Sequence, residues 1–245
     1  MLRRYFVDGS SVSFGIRRLS TDIFSPANLQ RTLRELNEPK IAEKAFGTFT
    51  ADGKARQSAV LIPLCLHKKQ PSILFNLRSN KLTRHKGYPC FPGGVAEEAD
   101  RDSTHTALRE TEEELGIKSG DVEVIGAMPR FKLPRDKMEI TAIIANIGDI
   151  DSHKLDINYD EVSVVFSRTV EELCDPKNIG ETSFRGAHKD VIYSSPVFIA
   201  GDYKIWGVTG MLLHLFLGRL VPEFYRKPAR PLKFRRFYES GAAVA

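Results

Sequence analysis

Four glutamates occupy five consecutive positions near the middle of the chain, Glu110, Glu112, Glu113 and Glu114, with Arg109 immediately before them. Residues three and four apart are neighbours on a helix, so Glu110, Glu113 and Glu114 fall on one face. Like charges at that spacing cost about 0.2–0.5 kcal/mol per pair, and a cation should offset them. Arg109, four residues before Glu113, can neutralise or orient one carboxylate. Hard oxygen ligands clustered in this way suit Mg²⁺ or Mn²⁺. Taken alone the pattern fits a solvated acidic face equally well; what precedes it shifts the balance. Phe91-Pro92-Gly93-Gly94 reads as a strand ending in a turn, where two glycines permit positive φ and let the backbone approach an ion or a phosphate. An acidic loop follows, with Glu97, Glu98, Asp100 and Asp102.

These residues need a scaffold, and the hydrophobic pattern supplies one. Asp102 or Ser103 suits an N-cap, Thr104 to Leu115 the helix body and Gly116 the residue that ends it. Leu108, Thr111 and Leu115 form a face that can pack inward. Ser25-Pro26 opens a short amphipathic helix running to Leu36. The apolar runs at 59–66 and 73–77, joined by a Lys-Lys-Gln-Pro turn, predict a buried hairpin, and further strands are expected at 122–128, 140–145 and 162–166. A helix is expected to start near Thr169. The 14 uncharged residues from Ile205 to Gly218 fall short of the roughly 20 needed to span a bilayer and read as a buried helix against a sheet. Short strands alternating with a few helices predict an α+β body, a mixed sheet with helices packed on it.

The net charge of +5 suggests a nucleic-acid partner until it is located. Residues 1–36 carry six bases and three acids, and residues 219–245 seven bases and two acids. The intervening body holds 23 bases and 26 acids, so only the ends are basic and no nucleic-acid partner is expected. The first 20 residues contain four Arg, four Ser and one acid among interleaved apolar residues, the composition of a mitochondrial presequence, and Arg17-Arg18 suits a processing site nearby. This divides the chain into a leader at 1–24, a domain at 25–220 and a basic extension at 221–245, and predicts a mitochondrial location, a cytoplasmic one being the alternative. The C-terminal Gly-Ala-Ala-Val-Ala is not a peroxisomal tripeptide. No membrane partner is expected, and the sequence specifies no oligomeric state. Cys65, Cys90 and Cys174 are far apart, without a CxxC, so neither a disulfide framework nor a zinc site is indicated. Cys90 lacks a His-Asp/Asn arrangement and reads as a small buried residue. His85 and His214 have no partner at metal-ligand spacing.

The segment from Cys90 to Ile117 resembles the Nudix box, which ends in Arg-Glu-apolar-x-Glu-Glu-x-Gly-apolar. Here that end is Arg109-Glu110-Thr111-Glu112-Glu113-Glu114-Leu115-Gly116-Ile117, with Thr111 at the usual apolar position. Gly94 and Arg109 are one residue further apart than in the general box, and Arg101, between Asp100 and Asp102, takes the place of its first Glu. The subfamily of coenzyme A diphosphatases is similar in both respects. Its upstream block is matched by Arg78-Ser79, His85, Gly87 and Phe91 to Gly94, while Thr83 stands where that block has an Arg and Arg84 follows one place late. The segments 158–162 and 205–210 also resemble it.

The resemblance implies a Nudix fold, an α/β/α sandwich with a mixed β-sheet between helices, and hydrolysis of a nucleoside diphosphate linked to a second group. It implies Mg²⁺ or Mn²⁺ on Glu110 and Glu114, with the Gly94 carbonyl as a further ligand, Glu113 as third ligand or general base, and Arg109 orienting it. Glu97 and Asp100 would hold outer waters or a second ion. Glu161 would complete the site, or is as readily an ordinary acid at a strand edge. Arg78, Arg84, His85 and Phe91 are implied in substrate binding. For coenzyme A the products are 3′,5′-ADP and 4′-phosphopantetheine or its acyl form. The alternatives are a Nudix hydrolase of ADP-ribose or NADH, and a catalytically silent Nudix domain used for binding.

Overall fold

A computed structural model describes residues 19–39, 55–133, 138–185, 191–225 and 235–236. The leader sequence up to residue 18 and most of the basic extension lie outside these residues. The chain enters through a 3₁₀ turn, Thr21–Phe24, and helix α1, Pro26–Leu36. Next come β1, Arg56–His67; β2, Gln70–Arg78; and the short strands β3, Pro89–Cys90, and β4, Gly93–Val95. Helix α2 is Ser103–Leu115. It is followed by β5, Glu123–Ala127; β6, Phe131–Leu133; β7, Met138–Asp149; and β8, Val162–Thr169. Helix α3, Val170–Cys174, opens on a capping box between Thr169 and Glu172. Strands β9, Ile179–Arg185, and β10, Val191–Phe198, precede helix α4, Gly207–Leu220, and β11, Arg235–Arg236.

The expected hairpin forms β1 and β2, with its turn at His67 to Gln70. β1 also runs parallel to β7 over most of its length, while its other pairings are antiparallel, so the sheet is mixed. β1 and β2 pair only near the hairpin turn. Where they part, residues 89–95 pair with both: Cys90 sits opposite Asn76 on β2, and Gly93 and Gly94 sit opposite Val60 and Ala59 on β1. β8 closes the other side of β2. β9, β10 and β11 form a second, smaller sheet.

The near-continuous apolar character of the central strands follows from burial on both faces. Leu61, Leu74 and Ile143 face α2 with Ala107 and Leu115, whereas their neighbours Ile62, Ile73, Phe75 and Ile144 face α1, α3 and α4. Helices on both faces give the expected α/β/α sandwich. α4 is apolar almost all round because Leu212, Leu213 and residues 215–217 are all buried. Asn28 Nδ2 and Arg31 Nη2 of α1 donate to the Leu220 carbonyl at its C-terminus, at 3.1 and 3.3 Å, satisfying an acceptor left open by the helix end. Among the described residues no helix is long and apolar enough to cross a membrane.

The packed unit is slightly larger than the span 25–220 read from the sequence. Leu19, Ile23 and Phe24 pack on the core, and at the other end Val221 and Tyr225 are buried in it. The Tyr225 hydroxyl lies 2.6 Å from His214 Nδ1, which accounts for that histidine inside an apolar helix.

Candidate active site

The carboxylates are positioned by how α2 begins and ends. Asp102 caps it, accepting the His105 N–H at 2.8 Å, so the side chain spares one unpaired donor of the first turn. Gly116 ends it in the left-handed region, φ 71°. A Cβ there would also come within 2.7 Å of Asp156. The segment that follows leans on this helix end: Asp156 N donates to Leu115 O and Asn158 N to Glu114 O, both at 3.0 Å. The chain then turns, with Glu161 N donating to Asn158 O at 3.1 Å, and Glu161 O accepts Ser79 N at 2.8 Å. The turn carries Glu161 to the helix face, and carboxylate oxygens of Glu110, Glu114 and Glu161 lie within 4.8 Å of one another.

The third carboxylate within this distance is Glu161, the acid expected to complete the site, whereas Glu113, expected as third ligand or general base, lies outside the group. At about 100° per residue, Glu113 and Glu114 point well apart, and the helix is rotated so that Glu114 faces the sheet. Glu114 is 3% exposed, and its Oε2 accepts Asn76 Nδ2 at 2.7 Å and the Gly93 N–H at 3.3 Å. Burial first, then repulsion from Glu110, pushes its pKa up to about 8. Burial also raises Glu110, against the lowering effect of Arg109. Glu113 is half exposed and pairs with Arg109 Nη1 at 2.9 Å.

Arg109 reaches further than the helix spacing indicates. Its Nε and Nη2 fork onto Asp100 Oδ1 and Oδ2, each at 3.0 Å, and Nη2 lies 3.1 Å from Glu110 Oε1. Bidentate geometry of this kind fixes orientation as well as charge. Arg109 holds the buried Asp100 carboxyl well below the usual carboxylate range. Asp100 is thus spent on the arginine, which removes it from the expected role of holding outer waters. Glu97 stands at the rim, largely exposed and 3.9 Å from Arg109.

Gly93 and Gly94 do not form the expected turn; they are strand residues, and close approach requires their missing side chains. A Cβ on Gly94 would overlap the Glu110 carboxylate, and one on Gly93 would overlap the Ala59 carbonyl and Val60 across the strand pair. The Gly94 carbonyl, an expected ligand, accepts the Ser58 hydroxyl at 2.6 Å and retains a second lone pair.

Of the substrate residues implied by the resemblance, Arg78 lies beside the cluster. Its charge acts on Glu114, and its Nε is buried without a hydrogen-bond partner. Arg84 and His85 are exposed on the loop between β2 and β3. Phe91 differs from them: it is 2% exposed and stacks on Phe75 with centroids 5.2 Å apart, a core residue under the site. Cys90 is inert, its thiol pushed up to about 12 by burial and by Glu114. Asn76 escaped the sequence reading, although a lone amide inside an apolar strand was the available signal. Ser58 escaped it as well, and nothing local marks it.

Three carboxylates around one point, one of them with its pKa raised by burial and by repulsion from Glu110, match the donor set of a hard divalent cation. The model of the NUDIX domain matches residues 55–186. Mitochondrial coenzyme A diphosphatase NUDT8 of Mus musculus is 41% identical over 69% of this chain and 80% of its own length. Its namesake in Homo sapiens is 40% identical over 72% and 75%. Nudix hydrolase 3 of Caenorhabditis elegans is 33% identical over 69% and 75%. With the box on α2, the carboxylate cluster and a matching domain over more than half its length, this chain belongs to the Nudix family.

Proposed function

We propose that this protein hydrolyses the diphosphate of coenzyme A or its acyl derivatives, giving 3′,5′-ADP and 4′-phosphopantetheine or the acyl form. The observation that carries the chemistry is the convergence of Glu110, Glu114 and Glu161. The names of the two mammalian relatives favour coenzyme A as the substrate. A divalent cation, Mg²⁺ or Mn²⁺, held by these three carboxylates would supply positive charge against the diphosphate oxygens. Water attacks one phosphorus, its P–O bond to the bridging oxygen breaks, and the leaving phosphate carries away the negative charge. The proton of the attacking water passes to a carboxylate of the cluster. Glu113, whose charge faces Arg109, is not that group. Arg109, anchored on Asp100, holds Glu110 in place, and the half-buried Arg78 meets a substrate phosphate. Arg84 and His85 line the outer part of the substrate path, and Glu97 stays at its rim.

The test is a substrate panel of coenzyme A, acyl-coenzyme A, ADP-ribose and NADH with Mg²⁺ or Mn²⁺. The highest kcat/KM should fall to a coenzyme A species. Preference for ADP-ribose or NADH moves the assignment to that branch of the family, and no cleavage with any metal makes the chain a binding module. We further propose a mitochondrial location. The printed names of the two mammalian relatives and the Arg/Ser-rich composition of the first residues support it. Processing would fall before the packed Leu19, and sequencing the N-terminus of the mature protein recovered from mitochondria tests this.

A further inference from the structure

Tyr88 and Trp206 form an aromatic corner, with ring centroids 4.7 Å apart and planes inclined by 55°. Tyr88 is 42% exposed, and Trp206 is half-buried. Neither position is an accident of a loose loop. His85 and Gly87 have φ of 55° and 67°, which turns the loop back. Tyr88 N donates to His85 O at 3.2 Å, and Tyr88 O accepts Arg78 N at 3.1 Å. Trp206 is the N-cap of α4 and follows Ile205, which is bridged to Phe198. The His85 ring adds a third wall, 5.7 Å from Tyr88.

Arg78 links this corner to the chemistry. Its backbone holds Tyr88, and its side chain lies beside Glu114. The loop between them carries Lys81, Arg84 and Lys86, all exposed, with Lys81 paired to Asp160 at 2.6 Å. A ligand leaving the cluster along this loop meets cationic groups and then two inclined aromatic faces. That sequence of surfaces matches a phosphorylated nucleoside, its phosphates beside the cations and its planar base against the rings. A flexible pantetheine arm would gain little from an aromatic corner.

We propose that the Tyr88–Trp206 corner is the subsite for the purine base, with Arg84 and Lys86 facing the ribose phosphate. This rests on the substrate class proposed above and adds the orientation: the adenine end lies toward α4, and the pantetheine end leaves on the opposite side of the cluster.

Trp206 is the only tryptophan in the chain, so its fluorescence reports on this corner alone. The full chain in EDTA, where no turnover occurs, is titrated with 3′,5′-ADP and separately with 4′-phosphopantetheine. The expected result is saturable quenching by 3′,5′-ADP and none by 4′-phosphopantetheine. Tyr88→Ala should raise the Kd for 3′,5′-ADP about tenfold, as expected for losing one stacking ring, while Tyr88→Phe should keep it within about twofold. In turnover, Tyr88→Ala should raise KM and leave kcat nearly unchanged. Quenching by 4′-phosphopantetheine but not by 3′,5′-ADP, or an unchanged Kd in Tyr88→Ala, overturns the subsite. Either result with coenzyme A still cleaved leaves the proposed activity standing. Quenching by 3′,5′-ADP in a protein that prefers ADP-ribose would instead keep the purine subsite and remove coenzyme A as the substrate.

Discussion

Asn76 donates its side-chain amide to Glu114 Oε2 at 2.7 Å, and both side chains are buried. The bond orients the deepest carboxylate of the cluster before anything binds, the arrangement that tunes a metal ligand from behind. Asn76→Ala removes the donor and opens a space beside a buried acid. Metal affinity, read by isothermal titration with Mn²⁺, should fall about 10–100-fold. Asn76→Asp should be worse, because it sets a second carboxylate against Glu114. Unchanged Mn²⁺ affinity in both variants would mean that the bond plays no part in holding the site.

Glutamine substitutions separate the cluster from its neighbours. Glu110→Gln, Glu114→Gln and Glu161→Gln each remove a carboxylate from the shared point, and kcat should drop at least about 100-fold for each, in the range of lost acid–base or electrostatic groups. Glu113→Gln loses only its pair with Arg109 and should retain activity within about tenfold. Single-turnover rates on coenzyme A with Mg²⁺ check the order. A Glu113→Gln variant as inactive as Glu114→Gln would return Glu113 to the centre of the site.

Much of this arrangement was legible in the residues. The capped helix, its end at Gly116, the buried hairpin and a mixed sheet with helices on it follow from caps, periodicity and the apolar runs; the three-layer arrangement came from the resemblance. What the periodicity could not supply was the rotation of α2 about its own axis. Spacing placed Glu110, Glu113 and Glu114 on one stripe, and packing of Ala107 and Leu115 against the sheet then buried Glu114 and left Glu113 outside. Glu161, named by the resemblance alone, is brought in by a long-range contact, the Asn158 turn docked on the helix end, for which a local pattern carries no signal. The Gly-Gly pair was correctly singled out but for the wrong geometry, since strand pairing with β1 and the close Glu110 carboxylate, rather than a turn, exclude a side chain.

Those two glycines give a paired prediction. In Gly94→Ala the new methyl meets the end of a flexible carboxylate, so the fold should survive while Glu110 is displaced, with little change in Tm and a large loss of kcat. In Gly93→Ala the methyl meets backbone at Ala59 and Val60, and φ is 147° there. Strain of this kind costs about 1–3 kcal/mol, so Tm should fall clearly. Melting curves and kcat measured side by side check the contrast. Equal losses of Tm in the two variants would remove the distinction between a site glycine and a sheet glycine.

The buried Glu114 also makes the metal-free protein sensitive to pH in an unusual direction. Its folded-state pKa of about 8 lies above the ordinary carboxylate value. Between that ordinary value and about pH 8 the folded protein holds a proton that the unfolded chain has released, so stability falls as pH rises through this window. In EDTA, the change in Tm from pH 5 to pH 8 should be more negative for the native protein than for Glu114→Gln, which has no such proton and serves as the baseline for every other titrating group. A divalent cation competes with the proton, so Mg²⁺ or Mn²⁺ should raise Tm more at pH 8 than at pH 5. Thermal melts across pH in EDTA and in Mn²⁺ read both effects. Parallel curves for the native protein and Glu114→Gln would mean that Glu114 is already ionised when the site holds no metal.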